Sequence, residues 1–177
     1  MSIAITCRRA TAADASVLSA LATQVFLDTY ATHGISPELA REAATVYAPA
    51  VFAQRLQDAS VDLWLATSIG YTVGFVDVAF DTSCPVPGVV GAEVFRLYVQ
   101  RPFLRQGVGR ALLAAAEALA QGRGAGDVWL TAWVGNARAL AFYRAQGYRD
   151  VGTTAYVIEG TAYENRVLCK RLDRAVA

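Results

Sequence analysis

Apolar positions along the chain recur at two spacings, one typical of helices and the other typical of strands. Over Leu18–Phe26 they fall three and four residues apart, which predicts a helix with one apolar stripe, and Thr11 or Asp14 can cap its start. Further helices are predicted over Glu38–Ala48, Ala50–Asp58, Gly107–Gln121 and Asn136–Gln146.

Segments of β-branched and aromatic residues bounded by turn residues predict the strands. These segments are Ile3–Arg9, Val61–Thr67, Thr72–Phe80, Ala92–Gln100, Asp127–Val134, Tyr148–Ile158 and Tyr163–Leu172, the last two forming a closing hairpin. Strand–helix–strand crossovers occur only in the second half of the chain, so we expect a mixed sheet. Because no repeat or linker divides the sequence, residues 1–177 are predicted to form a single α/β domain.

Composition and charge narrow the class of protein. The 177 residues are 55% hydrophobic and 18% charged, which excludes a disordered or low-complexity chain and fits one globular domain. The formal net charge is +1, so nothing in the overall charge favours nucleic acid or an anionic membrane as a partner.

Cysteine spacing and the N-terminal segment argue against metal sites, disulfides and export. Cys7, Cys84 and Cys169 lie far apart without a Cys-x-x-Cys pair, so neither a zinc site nor a disulfide framework is expected. The N-terminus lacks a long apolar stretch and reaches Arg8 early, which argues against a signal peptide. The most apolar helical segment, starting at Ala111, is too short to span a bilayer. We therefore expect a cytoplasmic protein without a metal ion.

The segment Leu97–Leu112, LYVQRPFLRQGVGRAL, is the most informative part of the sequence. A predicted strand leads into a short loop, and Gly107 and Gly109 stand where the next helix begins. Exposed backbone N–H groups and the positive end of the helix dipole favour an anion there, and Arg105 and Arg110 add formal charge. The alternative interpretation is a tight turn that allows the helix to pack closely on the sheet.

Two common nucleotide-binding motifs are excluded at these positions. A Walker A loop requires Gly-Lys followed by Ser or Thr, whereas here Gly109 is followed by Arg110 and Ala111. A dinucleotide fingerprint requires a third glycine where Leu112 stands. A phosphate bound by this loop would therefore be held in another manner.

A second motif covers residues 136–148, NARALAFYRAQGY. Asn136 occupies an N-cap position, and Gly147 is typical of the left-handed residue that ends a helix. Ala139 and Tyr143 are four residues apart and share one face of the predicted helix. A half-buried tyrosine whose hydroxyl reaches water is the alternative interpretation of Tyr143.

Together the two motifs resemble those of the Gcn5-related N-acetyltransferase (GNAT) family, and the resemblance covers Ala92–Tyr148. The family's cofactor signature is Q/R-x-x-G-x-G/A, and Leu104–Gly109 reads LRQGVG. The first position, normally Gln or Arg, is Leu104, which leaves Arg105, Gln106 or backbone donors to hold a pyrophosphate. Many members also carry N-x-x-A-x-x-x-Y-x-x-x-G followed by an aromatic residue. These positions are met by Asn136, Ala139, Tyr143, Gly147 and Tyr148.

The resemblance implies the acetyl-CoA N-acyltransferase fold. This is a mixed, mostly antiparallel, seven-stranded sheet flanked by helices, with the fourth and fifth strands splayed around acetyl-CoA. The pantetheine arm would pair with the fourth strand, and the helix start would bind the pyrophosphate. The implied cofactor-binding residues are Leu97, Tyr98, Val99, Arg105, Gln106, Gly107, Val108, Gly109, Arg110 and Asn136.

The resemblance also implies catalytic roles. Tyr143 matches the family's usual general acid, and its phenol suits protonation of a departing thiolate because the ordinary pKa values of phenol and thiol differ by only about 1.5. The Val99 N–H is the implied donor to the oxyanion. Several relatives use a carboxylate of the fourth strand as base, which makes Glu93 the candidate. A solvated residue at the start of the strand is the alternative, and Arg96 either pairs with a carboxylate or faces solvent.

The acceptor site of the family lies between the first helices and the last hairpin. This implies Phe26, Tyr30 and His33 as substrate-binding residues on one side. The residues implied on the other side are Glu159, Tyr163 and Glu164. Two carboxylates there would favour a cationic amine. Trp133, at the end of the fifth strand, could contact substrate or cofactor.

The implied activity is transfer of an acetyl group from acetyl-CoA to a primary amine by direct attack in a ternary complex. The amine could belong to a small molecule such as a polyamine or an antibiotic, or to a protein N-terminus, and the sequence leaves its identity open. A homodimer through the hairpin over Tyr148–Leu172 is a further expectation. The alternatives are a catalytically silent acyl-CoA-binding sensor or interaction module, which Leu104 favours and Tyr143 opposes, and an α/β domain with coincidental glycines.

Overall fold

The computed structural model describes residues 4–172. Within them the helices are α1 (Ala15–Tyr30), α2 (Pro37–Val46), α3 (Pro49–Arg55), α4 (Val108–Gly122) and α5 (Ala137–Ala145). The strands are β1 (Thr6–Arg9), β2 (Val61–Ser68), β3 (Tyr71–Ala79), β4 (Gly91–Val99), β5 (Asp127–Trp133), β6 (Arg149–Ile158) and β7 (Thr161–Arg171). Every predicted helix and strand is present. Ile3, the predicted first residue of β1, lies outside the described residues.

The observed helix boundaries differ from the predicted ones at positions where a proline or a short 3-10 helix occurs. Both α2 and α3 begin one residue earlier than predicted, at Pro37 and Pro49. Proline fits the first helical position because its ring presets the backbone angle and no partner for its missing N–H is needed there. The hydrophobic pattern does not predict the 3-10 helices Ala12–Asp14 and Arg101–Phe103. The first of these precedes α1, which begins at Ala15 directly after Asp14, one of the two predicted caps.

The strands form one mixed sheet in the order β1-β2-β3-β4-β5-β7-β6. The β1–β2, β5–β7 and β6–β7 pairs are antiparallel, and β4 pairs with β5 in parallel. The predicted fold class is therefore confirmed. None of the helices in the described part of the chain has the length and apolar composition needed to cross a membrane.

The chain divides into two compact units, and the first contains the residues up to Asp77 together with Arg96–Ala115. Its buried core includes Phe26 of α1 and Phe52 of α3, and the Phe52 ring meets that of Phe75 on β3 edge to face, with centroids 5.9 Å apart.

The core of this unit also contains a buried cluster of charged side chains. Asp77 on β3 is fully buried and accepts hydrogen bonds from Arg55 Nη2 at 2.9 Å and from Arg96 Nη1 at 3.0 Å. The Arg96 guanidinium also lies over the Tyr47 and Phe52 rings, 5.4 and 5.6 Å from their centroids. Arg96 therefore pairs with a carboxylate in the interior. Breaking such a buried pair by removing one partner typically costs about 3–5 kcal/mol.

The second unit contains Val78–Phe95 and the residues from Ala116 onward. At the start of β4 a Cβ on Gly91 would collide with the Asp127 carbonyl, so glycine is needed for the close approach to β5. On the other side of β5, β7 pairs along seven residues, from Arg171 opposite Asp127 to Asn165 opposite Trp133. The second unit therefore contains β5, β7 and β6 as neighbouring, hydrogen-bonded strands.

Candidate active site

The loop before α4 contains two residues with left-handed backbone. Arg105 has φ +61° and Gly107 has φ +89°, and α4 begins at the next residue. Turns in which left-handed residues stand beside right-handed ones can direct successive N–H groups to a common point and bind anions. The Gly107 carbonyl accepts from Ala111 N–H at 3.0 Å, so the loop runs directly into the first turn of the helix, whose end attracts negative charge.

Two loop side chains take different positions. Gln106 Nε2 donates to the Pro102 carbonyl at 2.7 Å and so braces the loop. Arg105 and Arg110 are both exposed. A left-handed non-glycine residue costs about 1–3 kcal/mol, and such strain concentrates at ligand-binding loops. The strain at Arg105 is a signal that the sequence does not carry.

Gly74 on β3 allows the first turn of α4 to pack closely against the sheet. A Cβ at this position would lie 2.7 Å from the Tyr98 carbonyl oxygen, and within 3.3 Å of both Leu112 and Val108 side chains. Only glycine leaves room for the helix to pack this closely. Gly74 therefore holds the start of α4 beside β4, although the sequence marks it only as a glycine within a strand.

The C-terminal part of β4 presents main-chain groups along the edge away from β3. The Gln100 N–H donates to the Val73 carbonyl on β3 at 3.0 Å. Because successive residues of a strand direct their main-chain groups to alternate edges, Leu97 and Val99 direct theirs away from β3. The predicted cofactor strand thus offers the Val99 N–H on the edge where an added extended chain would pair.

Tyr98 of β4 belongs to a cluster with three other aromatic residues, Tyr47, Phe26 and Tyr30. The Tyr98 and Tyr47 hydroxyls are 3.3 Å apart, and Tyr47 meets Phe26 with ring centroids 5.0 Å apart. The Phe26 ring in turn lies 5.1 Å from that of Tyr30. Burial raises the pKa of the Tyr98 phenol, and the hydrogen bond with Tyr47 offsets part of that rise. Sequence reasoning missed Tyr47, which joins the predicted residues Phe26 and Tyr98.

The three predicted acceptor residues differ in exposure. Phe26 is 1% exposed, Tyr30 is half-buried, and His33 is exposed in the loop after α1. His33 Nδ1 lies 3.1 Å from the Thr32 hydroxyl. Phe26 is therefore part of the buried core, whereas Tyr30 is partly accessible and His33 is accessible.

Glu93 lies where β4 and β5 stop pairing. The parallel pairing covers Gly91–Glu93 and Asp127–Trp129, although both strands continue beyond it, as the predicted splay requires. Glu93 is 9% exposed, so the interpretation as a solvated residue is wrong. Its register partner Trp129 lies on the same face of the sheet, as does Cys169 on β7.

Helix α5 places Tyr143 in a buried aromatic contact. The Asn136 side chain accepts from the Ala139 N–H at 3.1 Å, so its capping role is confirmed, and Gly147 after the helix has φ +88°. Tyr143 is 7% exposed. Its ring lies 5.9 Å from that of Tyr148.

Tyr143 and Glu93 belong to opposite faces of the sheet. Lys170 Nζ binds both carboxylate oxygens of Glu117 on α4, at 2.8 and 2.9 Å, and the Tyr148 hydroxyl donates to the same carboxylate at 3.1 Å. Lys170 is the residue after Cys169, so its side chain leaves the sheet on the face opposite to Glu93. The Tyr143–Tyr148 pair packs on the Lys170 side.

Tyr148 makes stability sensitive to alkaline pH. Burial, followed by the negative charge of Glu117, raises the pKa of its phenol well above the ordinary value. The folded state then holds this proton more tightly than the unfolded chain, so the stabilisation is complete below about pH 10 and declines as pH rises further. We expect the free energy of unfolding to fall less steeply above about pH 10 in Tyr148→Phe, in urea titrations across that range.

The control for this measurement is Tyr71→Phe, which removes a hydroxyl from a ring that is 76% exposed. At neutral pH Tyr148→Phe should lose about 1 kcal/mol with its hydrogen bond to Glu117. An unchanged alkaline slope in Tyr148→Phe would contradict the assignment.

Comparison with solved structures shows the same fold in proteins described as acetyltransferases. The PaiA N-acetyltransferase from Thermoplasma acidophilum, solved with coenzyme A, superposes with a TM-score of 0.75 at 17% identity, covering 96% of this chain and 100% of that one. A GCN5-related N-acetyltransferase from Rhodopseudomonas palustris gives 0.73 at 26% identity, with 97% and 99% covered. The Salmonella typhimurium protein yncA, solved with its cofactor acetyl-CoA, gives 0.70 at 18% identity, with 98% and 97% covered.

The family comparison covers both motifs. The model of the acetyltransferase (GNAT) family matches residues 27–148, which is more than half of the chain. This range includes β4, the loop before α4, and α5 with Tyr143. The chain therefore belongs to the acetyltransferase (GNAT) family.

Proposed function

We propose that the protein transfers an acetyl group from acetyl-CoA to the primary amine of a small molecule or a peptide N-terminus. The observation that carries this proposal is the pair of left-handed residues, Arg105 and Gly107, directly before α4. They build an anion cradle from main-chain N–H groups at a helix start, which suits a pyrophosphate. The cofactors of the Thermoplasma and Salmonella proteins support acetyl-CoA as co-substrate.

The chain offers donors for the pyrophosphate and the pantetheine arm of the cofactor. The main chain of Arg105–Arg110 would hold the pyrophosphate, with Arg105 and Arg110 as the neighbouring charges. Leu97 and Val99 would pair with the pantetheine arm through the edge of β4. Asn136 uses its side-chain oxygen to cap α5, which leaves its amide N–H group to donate to the arm. When bound, the thioester supplies an activated acyl group. Backbone donors thus take over the role that Leu104 cannot fill.

Three groups of the chain would carry the reaction. Glu93 accepts the proton that the acceptor amine loses, directly or through a water molecule. The Val99 N–H donates to the carbonyl oxygen as negative charge develops there. Tyr143 would give its phenolic proton to the departing sulfur and be reprotonated from solvent. An acceptor that starts as an ammonium ion loses two protons, one through Glu93 and one to solvent, so each turnover releases one net proton.

Direct attack would form the C–N bond at the thioester carbonyl first, with negative charge on its oxygen, and the C–S bond would break afterwards. Glu93 would act on the nitrogen in the first step, and Tyr143 would act on the sulfur in the second. The homodimer, the single domain and the cytoplasmic location stay predictions.

A calorimetric titration with acetyl-CoA tests the cofactor assignment. We expect saturable binding in the wild type, and binding weaker by roughly 10- to 100-fold in Gly107→Val, because a β-branched residue is strained at φ +89°. Gly122→Ala, in a position where a Cβ meets nothing within 4 Å, is the matched control and should bind normally.

Thiol release with a panel of primary amines completes the test. Equal affinity in Gly107→Val, or no binding by the wild type, would overturn the proposed cofactor site. Binding without thiol release for any amine would favour the silent sensor over the enzyme.

A further inference from the structure

The peptide group that joins Tyr98 to Val99 carries the proposed oxyanion donor. Its N–H belongs to Val99, and its carbonyl oxygen belongs to Tyr98. In a planar trans peptide the carbonyl and the N–H point in opposite directions within one rigid unit. A contact that moves the Tyr98 carbonyl therefore also turns the Val99 N–H.

Gly74 on β3 lies directly against the carbonyl side of this peptide group. A Cβ at this position would lie 2.7 Å from the Tyr98 carbonyl oxygen. That separation is too short for any side chain, so one of the two groups would have to shift. Because the obstacle is a main-chain atom, a change of rotamer cannot relieve the contact. Glycine leaves the Tyr98 carbonyl where the packing of β4 on β3 places it.

The side chain of Tyr98 limits how the main chain could move away. Its ring meets that of Phe75 edge to face, with centroids 5.4 Å apart, and its hydroxyl lies 3.3 Å from that of Tyr47. Phe75 is fully buried and follows Gly74 on β3. Two neighbouring residues of β3 thus contact the ring and the carbonyl of Tyr98. With the ring held, rotation of the peptide group is the available response to an added Cβ.

A small rotation of this peptide group is enough to impair a hydrogen-bond donor. To lengthen the 2.7 Å separation to an ordinary contact, the carbonyl oxygen must move by about 0.5 Å. With a C=O bond of about 1.2 Å, that movement turns the peptide plane by about 15°. Catalytic groups work only when they are held to within about 0.5 Å and 10–20° of the productive geometry. The Val99 N–H would then no longer be directed at the developing oxyanion.

We propose that Gly74 is a positioning residue for acetyl transfer. The lack of a side chain at this position allows the Tyr98 carbonyl to approach β3, and this directs the Val99 N–H at the thioester oxygen. The inference rests on the proposed function. It gives Gly74 a second role, separate from the packing of α4, without any contact between Gly74 and the substrates.

The kinetic test is Gly74→Ala, assayed by thiol release with the amine of the panel that the wild type acetylates fastest. We expect kcat at saturating acetyl-CoA to fall by about 10- to 100-fold, since loss of a whole oxyanion donor costs about 10²- to 10³-fold. The Kd of CoA should rise by at most about 5-fold. A role confined to the packing of α4 would give the opposite result, because that helix begins at the proposed pyrophosphate site. Gly122→Ala is the control.

Leu112→Val separates the two kinds of contact that the added methyl group makes. The Cβ at position 74 would lie 3.2 Å from the Leu112 Cδ1 atom on α4, which valine lacks. The contact with the Tyr98 carbonyl remains in Gly74→Ala/Leu112→Val, so we expect kcat to stay low relative to Leu112→Val alone. If Gly74→Ala does not fold, this double variant, with less crowding, is the one to assay.

An infrared measurement reports the donor without turnover. Acetyl-CoA labelled with ¹³C at the acetyl carbonyl should absorb at lower frequency on the wild type than in solution, because a directed N–H polarises the carbonyl. Gly74→Ala should show a smaller shift. Wild-type kcat in Gly74→Ala, recovery of kcat in the double variant, or an unchanged infrared shift overturns the inference and leaves the acetyltransferase proposal standing. Failure of the wild type to bind acetyl-CoA overturns both.

Discussion

Glu93→Gln is expected to lower kcat at about pH 7 by a factor of about 10² to 10⁴, the usual contribution of a general base. Glutamine has the shape of glutamate but cannot take up the proton of the acceptor ammonium group. The defect should shrink toward about pH 9, because an amine with an ordinary pKa near 10 increasingly loses its proton to solvent. Steady-state thiol release at several pH values measures both effects.

The control for this variant is Glu164→Gln. Its side chain is 61% exposed and points to the opposite face of the sheet, so kcat should stay within about 2-fold of the wild type. A Glu93→Gln enzyme with wild-type kcat at neutral pH would exclude Glu93 as the base, and a loss that does not depend on pH would indicate a structural role instead.

Tyr143→Phe is expected to reduce kcat by about 100-fold while the KM for acetyl-CoA changes little. The substitution removes only the phenolic proton, and the ring keeps its contacts with Phe142 and Tyr148, whose centroids lie 5.1 and 5.9 Å away. The loss should therefore fall on the departure of the thiolate, where a proton donor contributes at least 10²-fold. Single-turnover measurements of thiol release separate this step from cofactor binding.

Tyr148→Phe is the matched control for Tyr143→Phe. It removes a hydroxyl from the neighbouring ring, which is engaged with Glu117 and is assigned no role in proton transfer. We expect it to retain most of kcat. If the two variants lost activity equally, the effect would come from the packing of the aromatic pair, and Tyr143 would no longer be assigned as the acid.

The sequence alone determined the elements and the two motifs, because these depend on neighbours in the chain. The spacing of apolar residues places α4, and the glycine at position 107 provides the left-handed turn before it. The capping of α5 by Asn136 and its end at Gly147 follow from side-chain and backbone chemistry within a few residues. The family then follows from the spacing of those same positions.

Only the tertiary structure revealed the residues that support these motifs from distant parts of the chain. Tyr47 meets Tyr98 across 51 positions, and Arg96 meets Asp77 across 19. Gly74 is required because the first turn of α4 packs on it. These contacts depend on how strands and helices are brought together, so no local spacing predicts them.

The register between strands determined which face of the sheet each candidate catalytic side chain occupies. A shift of one residue would turn every side chain of a strand to the other face, so the register of β4, β5 and β7 sets which groups share a side. It places Glu93 with Trp133 and Tyr163, and it places Glu164 opposite them. The sequence identified the chemical groups and their local elements, whereas pairing between strands far apart in the chain determined which of them can act on one substrate.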